Sequence, residues 1–411
     1  MENNNSITFR FLQISDLRLG STSSLSLHLS PAQRQQRLEE SLESLQKAIA
    51  LAKEKSLDAV LIPGNLYDHE NVTAKTIGTV QKIFASLDPI PVYITPATTD
   101  ALSRDSMYLT NVLNARGLED WSQNVHIFKG PGLQTIALPD KPNVRISGLA
   151  TQIEDRGSSQ ETPIPALEEH DRSALNILLY PMPAKYQGMV ISDEEFSEAI
   201  SQPDFSYTAV SGPLNQCRAR GEEGRVVAAA SGTFTAHSAD ETGARIAFSA
   251  ELSRKLPGRL ELDLEPIELD QRRIINLKLD LSTIAPSDWK KELETSLVSC
   301  GVRQEDILLF EVSGTYPAGA QQDLIQQVRN KSYFHIRCSD KSRPDYLATL
   351  SSANKIEQGL IEHMNSLFAE ASRAADEGEK TGDDQLAIID DALYFGLEAL
   401  REGRITLRDA D

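Results

Sequence analysis

The chain has 411 residues, 40% of them hydrophobic, enough for two or three domains with sizeable cores. Its 41 Lys and Arg against 60 Asp and Glu give a formal net charge of −19, which repels a polyanion at long range and excludes the basic footprint of an autonomous DNA binder. Three widely spaced cysteines, Cys217, Cys300 and Cys338, exclude a disulfide framework and a structural zinc site and fit a reducing cytoplasm. Met1–Asn5 lacks a basic region followed by an apolar one, and no stretch approaches the roughly 18 apolar residues of a membrane span, so neither export nor membrane insertion is expected.

In chain order, Phe9–Gly20 reads as an apolar, alternating strand that stops at Asp16 just before a glycine, the kind of strand end where open α/β sheets place their chemistry. Ser30-Pro31 is a capping signal, and Leu38, Leu42, Leu45, Ile49 and Leu51 predict a helix to about Ser56. Asp58–Pro63 is a buried-strand run ending in Gly64-Asn65-Leu66-Tyr67-Asp68. A helix around Thr73–Ser86 and a strand at Pro91–Thr95 follow. Strands alternating with helices imply a layered sheet with right-handed crossovers. Further strands are predicted at Val125–Phe128, Leu133–Ala137, Val144–Gly148, Ala174–Tyr180, Tyr207–Ser211, Arg225–Ser231 and Arg245–Leu252, with a helix near Asp193–Ser201. Helical spacing disappears after about residue 205, which predicts mainly antiparallel pairing there.

From Leu260 the pattern changes to a small α+β module. Leu260–Leu264 and Ile274–Leu281 alternate, helices are predicted at Ser287–Ser299 and Ala320–Asn330, and strands at Ile307–Val312 and Tyr333–Cys338. The chain from Ala353 reads as two helices separated by the acidic loop Asp376–Asp384. It carries 6 Lys and Arg against 14 Asp and Glu. Ile388, Leu393, Phe395, Leu397 and Leu400 give the last helix an apolar stripe that either folds back on its own domain or receives another protein.

Several stretches resemble the calcineurin-like metallophosphoesterases, specifically the SbcD-type DNA repair exonucleases. Asp16-Leu17-Arg18 stands where that family has Asp-x-His; Gly64-Asn65-Leu66-Tyr67-Asp68 stands where it has Gly-Asp-x-x-Asp; Ala97-Thr98-Thr99-Asp100 stands where it has Gly-Asn-His-Asp. Tyr180 ends the strand that ordinarily closes on a metal-binding histidine, and Gly212-Pro213-Leu214-Asn215 lacks both histidines of the closing Gly-His-x-His. Glu241-Thr242-Gly243-Ala244-Arg245 matches a turn that follows the site in the family. The resemblance implies a layered α/β metallophosphoesterase-type β-sandwich flanked by helices (1–258), a small α+β capping domain (259–350) and a C-terminal helical segment (351–411) at the place of the dock for an SbcC-type coiled-coil ATPase.

The same alignment implies a degenerate site. A guanidinium replaces a metal-binding imidazole at Arg18, a neutral amide replaces a bridging carboxylate at Asn65, Thr98 removes a ligand, and Thr99 removes a proton donor. Tyr180 is a poor divalent ligand at neutral pH. Asp100 loses the histidine it would orient. Asp16 alone remains of the ligands, and none of the seven histidines falls on a ligand position, although His69 lies nearest the cleft and pairing with Asp16 in a rearranged site stays open.

Arg18 has two readings, as an internal cation paired with Asp16 and Asp100 or as a grip for a phosphate. The expectation is a cytoplasmic pseudoenzyme with no metal and no cofactor. It would be a structural partner of an SbcC-type ATPase, as homodimer or hetero-oligomer, reaching DNA through the complex in repair or defence against foreign DNA. The alternatives are a metal-dependent nuclease with a rebuilt site and a nucleotide- or phosphate-binding module.

Overall fold

Alternation along the first strand decides the layering. In the computed structural model, β1 (Ser6–Gln13) places Phe9 and Phe11 in one apolar cluster, while Leu12 and Ile14 join another on the opposite face. The structure describes residues 6–21, 25–130, 132–153, 174–200, 205–221, 224–255, 259–346, 348, 354–376 and 382–406.

Helix α1 (Pro31–Glu54) starts at a capping box in which the Ser30 hydroxyl and the Gln33 amide each satisfy the other's backbone N–H, with proline at the first helical position. Then come β2 (Ala59–Ile62), α2 (Ala74–Ala85, capped by Thr73), β3 (Val92–Ile94), α3 (Thr110–Ala115), β4 (Val125–Ile127), β5 (Gln134–Leu138), β6 (Lys141–Gly148) and β7 (Leu175–Pro181). Next are α4 (Asp193–Ala199), β8 (Tyr207–Ser211), β9 (Cys217–Arg220), β10 (Val226–Ala230), β11 (Ile246–Lys255) and β12 (Leu260–Glu268).

These strands form two six-stranded sheets, in the orders β12-β11-β1-β2-β3-β4 and β5-β6-β7-β8-β10-β9. Phe9, Phe11, Leu61 and Tyr93 of the first sheet pack with Ile177, Leu179 and Tyr207 of the second. The outer face of the first sheet is covered by Leu45, Ile49, Ile77 and Phe84 of α1 and α2, and the outer face of the second by Phe196 of α4. The layered α/β sandwich flanked by helices expected from the sequence is therefore present.

Two local expectations change. Antiparallel pairing holds for β1–β11, β11–β12 and β9–β10, but β8 pairs parallel with both β7 and β10. The chain leaves β8, forms the edge strand β9 and returns as β10 between them, so β10 runs in the direction of β8. β9 went unanticipated because CRAR is a four-residue strand with only two buried positions. The second difference is a boundary. Leu260–Glu268 continues the first sheet as its edge, paired along its length with β11, so the first compact unit runs to Ile274 instead of ending at residue 258.

The second unit spans Ile275–Asp411. β13 (Ile274–Asp280), α5 (Trp289–Ser299), β14 (Ile307–Ser313), β15 (Thr315–Pro317), α6 (Leu324–Arg329), β16 (His335–Asp340) and β17 (Arg343–Asp345) give a three-stranded sheet, β13-β14-β16, and a two-stranded one, β15-β17. Trp289, Leu293 and Leu297 recur every fourth residue and bury one face of α5 against Leu308 and Phe310. Helices α7 (Lys355–Asp376) and α8 (Gly382–Glu402) form an antiparallel pair. Arg401 of α8 pairs with Glu357 of α7 and joins the two helices, and the pair is tied back by Arg343 to Asp390 and Asp391 and by an Arg401 donation to Tyr346 O. Of the predicted stripe on α8, Leu397 is 1% exposed, whereas Ile388 and Leu400 are 65% and 43% exposed. The centre of the acidic run, 377–381, lies outside the described residues.

Candidate functional site

Beyond β1 and β2 the chain runs on as two irregular segments held side by side. Ile14 N–H donates to Leu61 O at 3.0 Å, Arg18 N–H to Asn65 O at 2.8 Å and Leu19 N–H to Leu66 O at 3.0 Å. Three non-glycine residues in these segments adopt left-handed backbone, Asp16 (φ 51°), Arg18 (φ 46°) and Asn65 (φ 56°). Such conformations cost about 1 kcal/mol or more each and cluster where surrounding structure over-determines them. Gly64 is required between the strands, because a Cβ there would lie 2.3 Å from the Cβ of Ala97 and 2.5 Å from Ser211 Oγ.

Buried polar side chains fasten the second sheet to this point. Ser15 Oγ donates to Val210 O at 2.9 Å, Ser211 Oγ to Pro63 O at 3.0 Å and Tyr207 OH to Gln13 Oε1 at 2.6 Å. The C-terminal ends of β1, β2, β3 and β8 thus converge on one buried cluster, at the edge where α/β sheets carry their sites.

Asp16 is fully buried. Its Oδ1 accepts from Asn65 Nδ2 at 2.6 Å and its Oδ2 from the Gly212 N–H at 2.9 Å, while Arg18 Nη2 stands 4.0 Å from Oδ1. Burial pushes the carboxyl up to about 6, against the lowering effect of the Arg18 charge and of the Gly212 and Asn65 hydrogen bonds. Asn65 is oriented by its neighbours. Its Oδ1 accepts from both the N–H and the hydroxyl of Thr99, at 2.9 and 3.0 Å, and its Nδ2 also donates to Gln187 Oε1 at 3.0 Å. The atom that Asn65 turns toward Asp16 is therefore a hydrogen-bond donor, not a ligand oxygen.

Asp100, also fully buried, takes the N–H groups of Asn65 (3.2 Å) and Ala97 (2.7 Å) on one oxygen. The other accepts the Leu66 N–H (2.7 Å) and the Tyr108 hydroxyl (2.6 Å). Burial raises this carboxyl to about 6 against those four bonds, and burial together with the Asp100 charge holds the Tyr108 phenol well above its ordinary range.

One of the two readings of Arg18 pairs it with Asp16 and Asp100. In the structure its carboxylates are Asp16 and Glu241, the latter at 3.7 Å from Nη1, while Asp100 is enclosed by backbone amides and Tyr108. Its Nε is buried with no hydrogen-bond partner among the described residues. Glu241 and Gln187 are site residues that the motifs do not single out; the signal for the first is the Glu241–Arg245 turn, whose glutamate has a side chain 1% exposed.

Thr98 is exposed at the rim, and Thr99 is the partly buried partner of Asn65. Tyr180 departs furthest from expectation. It lies with Leu178, Ile191 and Phe196 in the cluster under α4, because alternation along β7 sends Leu179 inward and Tyr180 outward. His69 pairs with Asp105 at 3.1 Å, so the expected alternative of His69 with Asp16 is not formed. His237 is a buried histidine in contact with Thr235 Oγ1 at 3.1 Å, its pKa lowered first by burial.

These residues do not fit a two-metal centre. Both oxygens of Asp16 are engaged, Asn65 offers an N–H, and a permanent cation sits between the two nearest carboxylates. Among the described residues no three His, Cys, Asp or Glu side chains converge to hold a metal ion.

No protein-family model matches the chain, and no curated protein matches it. Among solved structures it is similar to TT1561 of Thermus thermophilus, with 13% identity over 63% of this chain and 99% of that one at a TM-score of 0.33. It is also similar to a dimetal phosphatase from Danio rerio, with 12% identity over 64% of this chain and 99% of that one at a TM-score of 0.37.

Proposed function

We propose that the protein is a catalytically inactive, SbcD-like subunit of the metallophosphoesterase type, acting as a structural partner of an SbcC-type coiled-coil ATPase in DNA repair or defence against foreign DNA. The observation that carries the inactive reading is the state of Asp16. The one acidic ligand that the motif comparison retains is closed off by Asn65 and the Gly212 amide and faced by Arg18, so a divalent ion would have to displace the protein's own cation. The partner reading rests on motif order and on the helical pair at the end of the chain, whose Ile356, Phe368, Ile388 and Leu400 are exposed. The net charge of −19 supports placing DNA contact in a partner.

Incubation with manganese and labelled single- and double-stranded DNA is expected to give no hydrolysis. Turnover that disappears in Asp16→Ala would overturn the inactive reading in favour of a rebuilt nuclease. Capture of a coiled-coil ATPase from the native cell, lost when residues 353–411 are deleted, is the expected result for the partner.

One observation favours a second reading, a phosphate-binding cleft: the buried Nε of Arg18 has no hydrogen-bond partner among the described residues. The two carboxylates beside it oppose an anion, which is why this reading ranks second. A thermal shift with inorganic phosphate or a nucleotide that vanishes in Arg18→Ala would promote it.

A further inference from the structure

The segment 269–274, by which the chain leaves the first unit, is clamped at several points. Asp270 accepts both Nη groups of Arg37 at 2.9 Å and the Ala236 N–H at 3.0 Å, and Arg272 pairs with Glu40 of α1 at 2.9 Å. Arg37, Glu40, Asp270 and Arg272 are each less than a tenth exposed, so the clamp is built of charges that are costly to separate. The last point is Ile274, whose carbonyl accepts the Gly243 N–H at 2.9 Å.

The turn that supplies Ala236 and Gly243 also supplies Glu241. One oxygen of Glu241 accepts the His237 N–H and the other faces Arg18 at 3.7 Å, while the buried Arg245 also acts on Glu241 through its charge. A carboxylate buried to this degree that loses its ion-pair partner, with only the charge of Arg245 left to offset it, would push outward for water and carry its turn with it. Gly243 sits two residues on, in left-handed backbone (φ 79°). Displacing Glu241 therefore strains the bond to Ile274 on one side and the Ala236–Asp270 bond on the other.

We propose that Arg18 is a positioning residue for this exit: by neutralising Glu241 it holds the 236–243 turn, and through it the clamp on 269–274. Whatever draws Arg18 away from Glu241 loosens the segment leading into the second unit.

Residue-resolved amide hydrogen exchange on the full chain tests it. In Arg18→Ala the amides of Ala236 and Gly243 are expected to exchange about tenfold faster, with those of β2 unchanged. In Arg18→Ala/Glu241→Gln they return to within about twofold of Glu241→Gln alone, because the carboxylate that lost its ion-pair partner is gone. Wild-type rates at Ala236 and Gly243 in Arg18→Ala, or equal acceleration in the single and double variants, overturn the proposal. If Arg18→Ala does not fold, Glu241→Gln is compared with the double variant. Equal rates at Gly243 support the relay, and further acceleration on removing Arg18 contradicts it.

Discussion

Asp16 and Asp100 are two fully buried aspartates in one cluster, both pushed up to about 6, yet they are held in different ways. Asp100 takes four hydrogen bonds that close the loops after β2 and β3 around it. Asp16 takes two, and its remaining compensation is the charge of Arg18, which it shares with Glu241. The difference separates a carboxylate held almost wholly by backbone amides and a tyrosine hydroxyl from one that depends on a neighbouring cation.

The largest effect is expected at the architectural aspartate. Asp100→Ala orphans three buried N–H groups and a tyrosine hydroxyl, so it should lower the unfolding free energy by about 3–5 kcal/mol in denaturant titration. A loss below about 1 kcal/mol would remove the contrast with Asp16.

pH probes Asp16 separately from its hydrogen bonds. Asp16 has a folded pKa of about 6, above the ordinary unfolded value near 4, so the folded state holds the proton more tightly. Its contribution is fully present below about pH 4 and is lost as pH rises toward 6, by an order of 3 kcal/mol at most. Subtracting the stability profile of Asp16→Asn from that of the wild type should therefore give a curve falling between about pH 4 and 6. A flat difference would mean that Asp16 is no more hindered in ionising than in the unfolded chain.

Arg18→Ala comes next, at about 2 kcal/mol near pH 8, reduced because the guanidinium is 17% exposed and its two contacts are long. The cost should shrink near pH 5, where Asp16 takes up a proton, and chemical denaturation at the two values measures it. The smallest effect contrasts neighbouring threonines. Thr99→Ala removes a hydroxyl bonded within the cluster and should cost about 1 kcal/mol, while Thr98→Ala at the exposed rim should stay within about 0.5 kcal/mol.

Much of this was readable in the chain. The Ser30-Pro31 cap, the uniformly apolar β2 and the strand-end positions of Asp16, Asn65 and Asp100 follow from local rules of capping, burial and chain reversal, which act over a few residues. What escaped depends on distant or directional facts. Glu241 meets Arg18 only after both sheets are assembled, and Gln187 reaches Asn65 across the loop that follows β7. Tyr180 occupies the anticipated strand end, but one step of alternation turns it to the α4 side. The parallel pairing of β8 with β10 depended on recognising β9, whose CRAR sequence carries almost no strand signal.

Whether Arg18 takes the place of a bound cation beside Asp16 is decided by calorimetric titration of the purified protein with manganese near pH 7.5. The expected result is no site in the micromolar range in the wild type. Near-stoichiometric manganese binding that is abolished by Asp16→Ala and left intact by Arg18→Ala would contradict it.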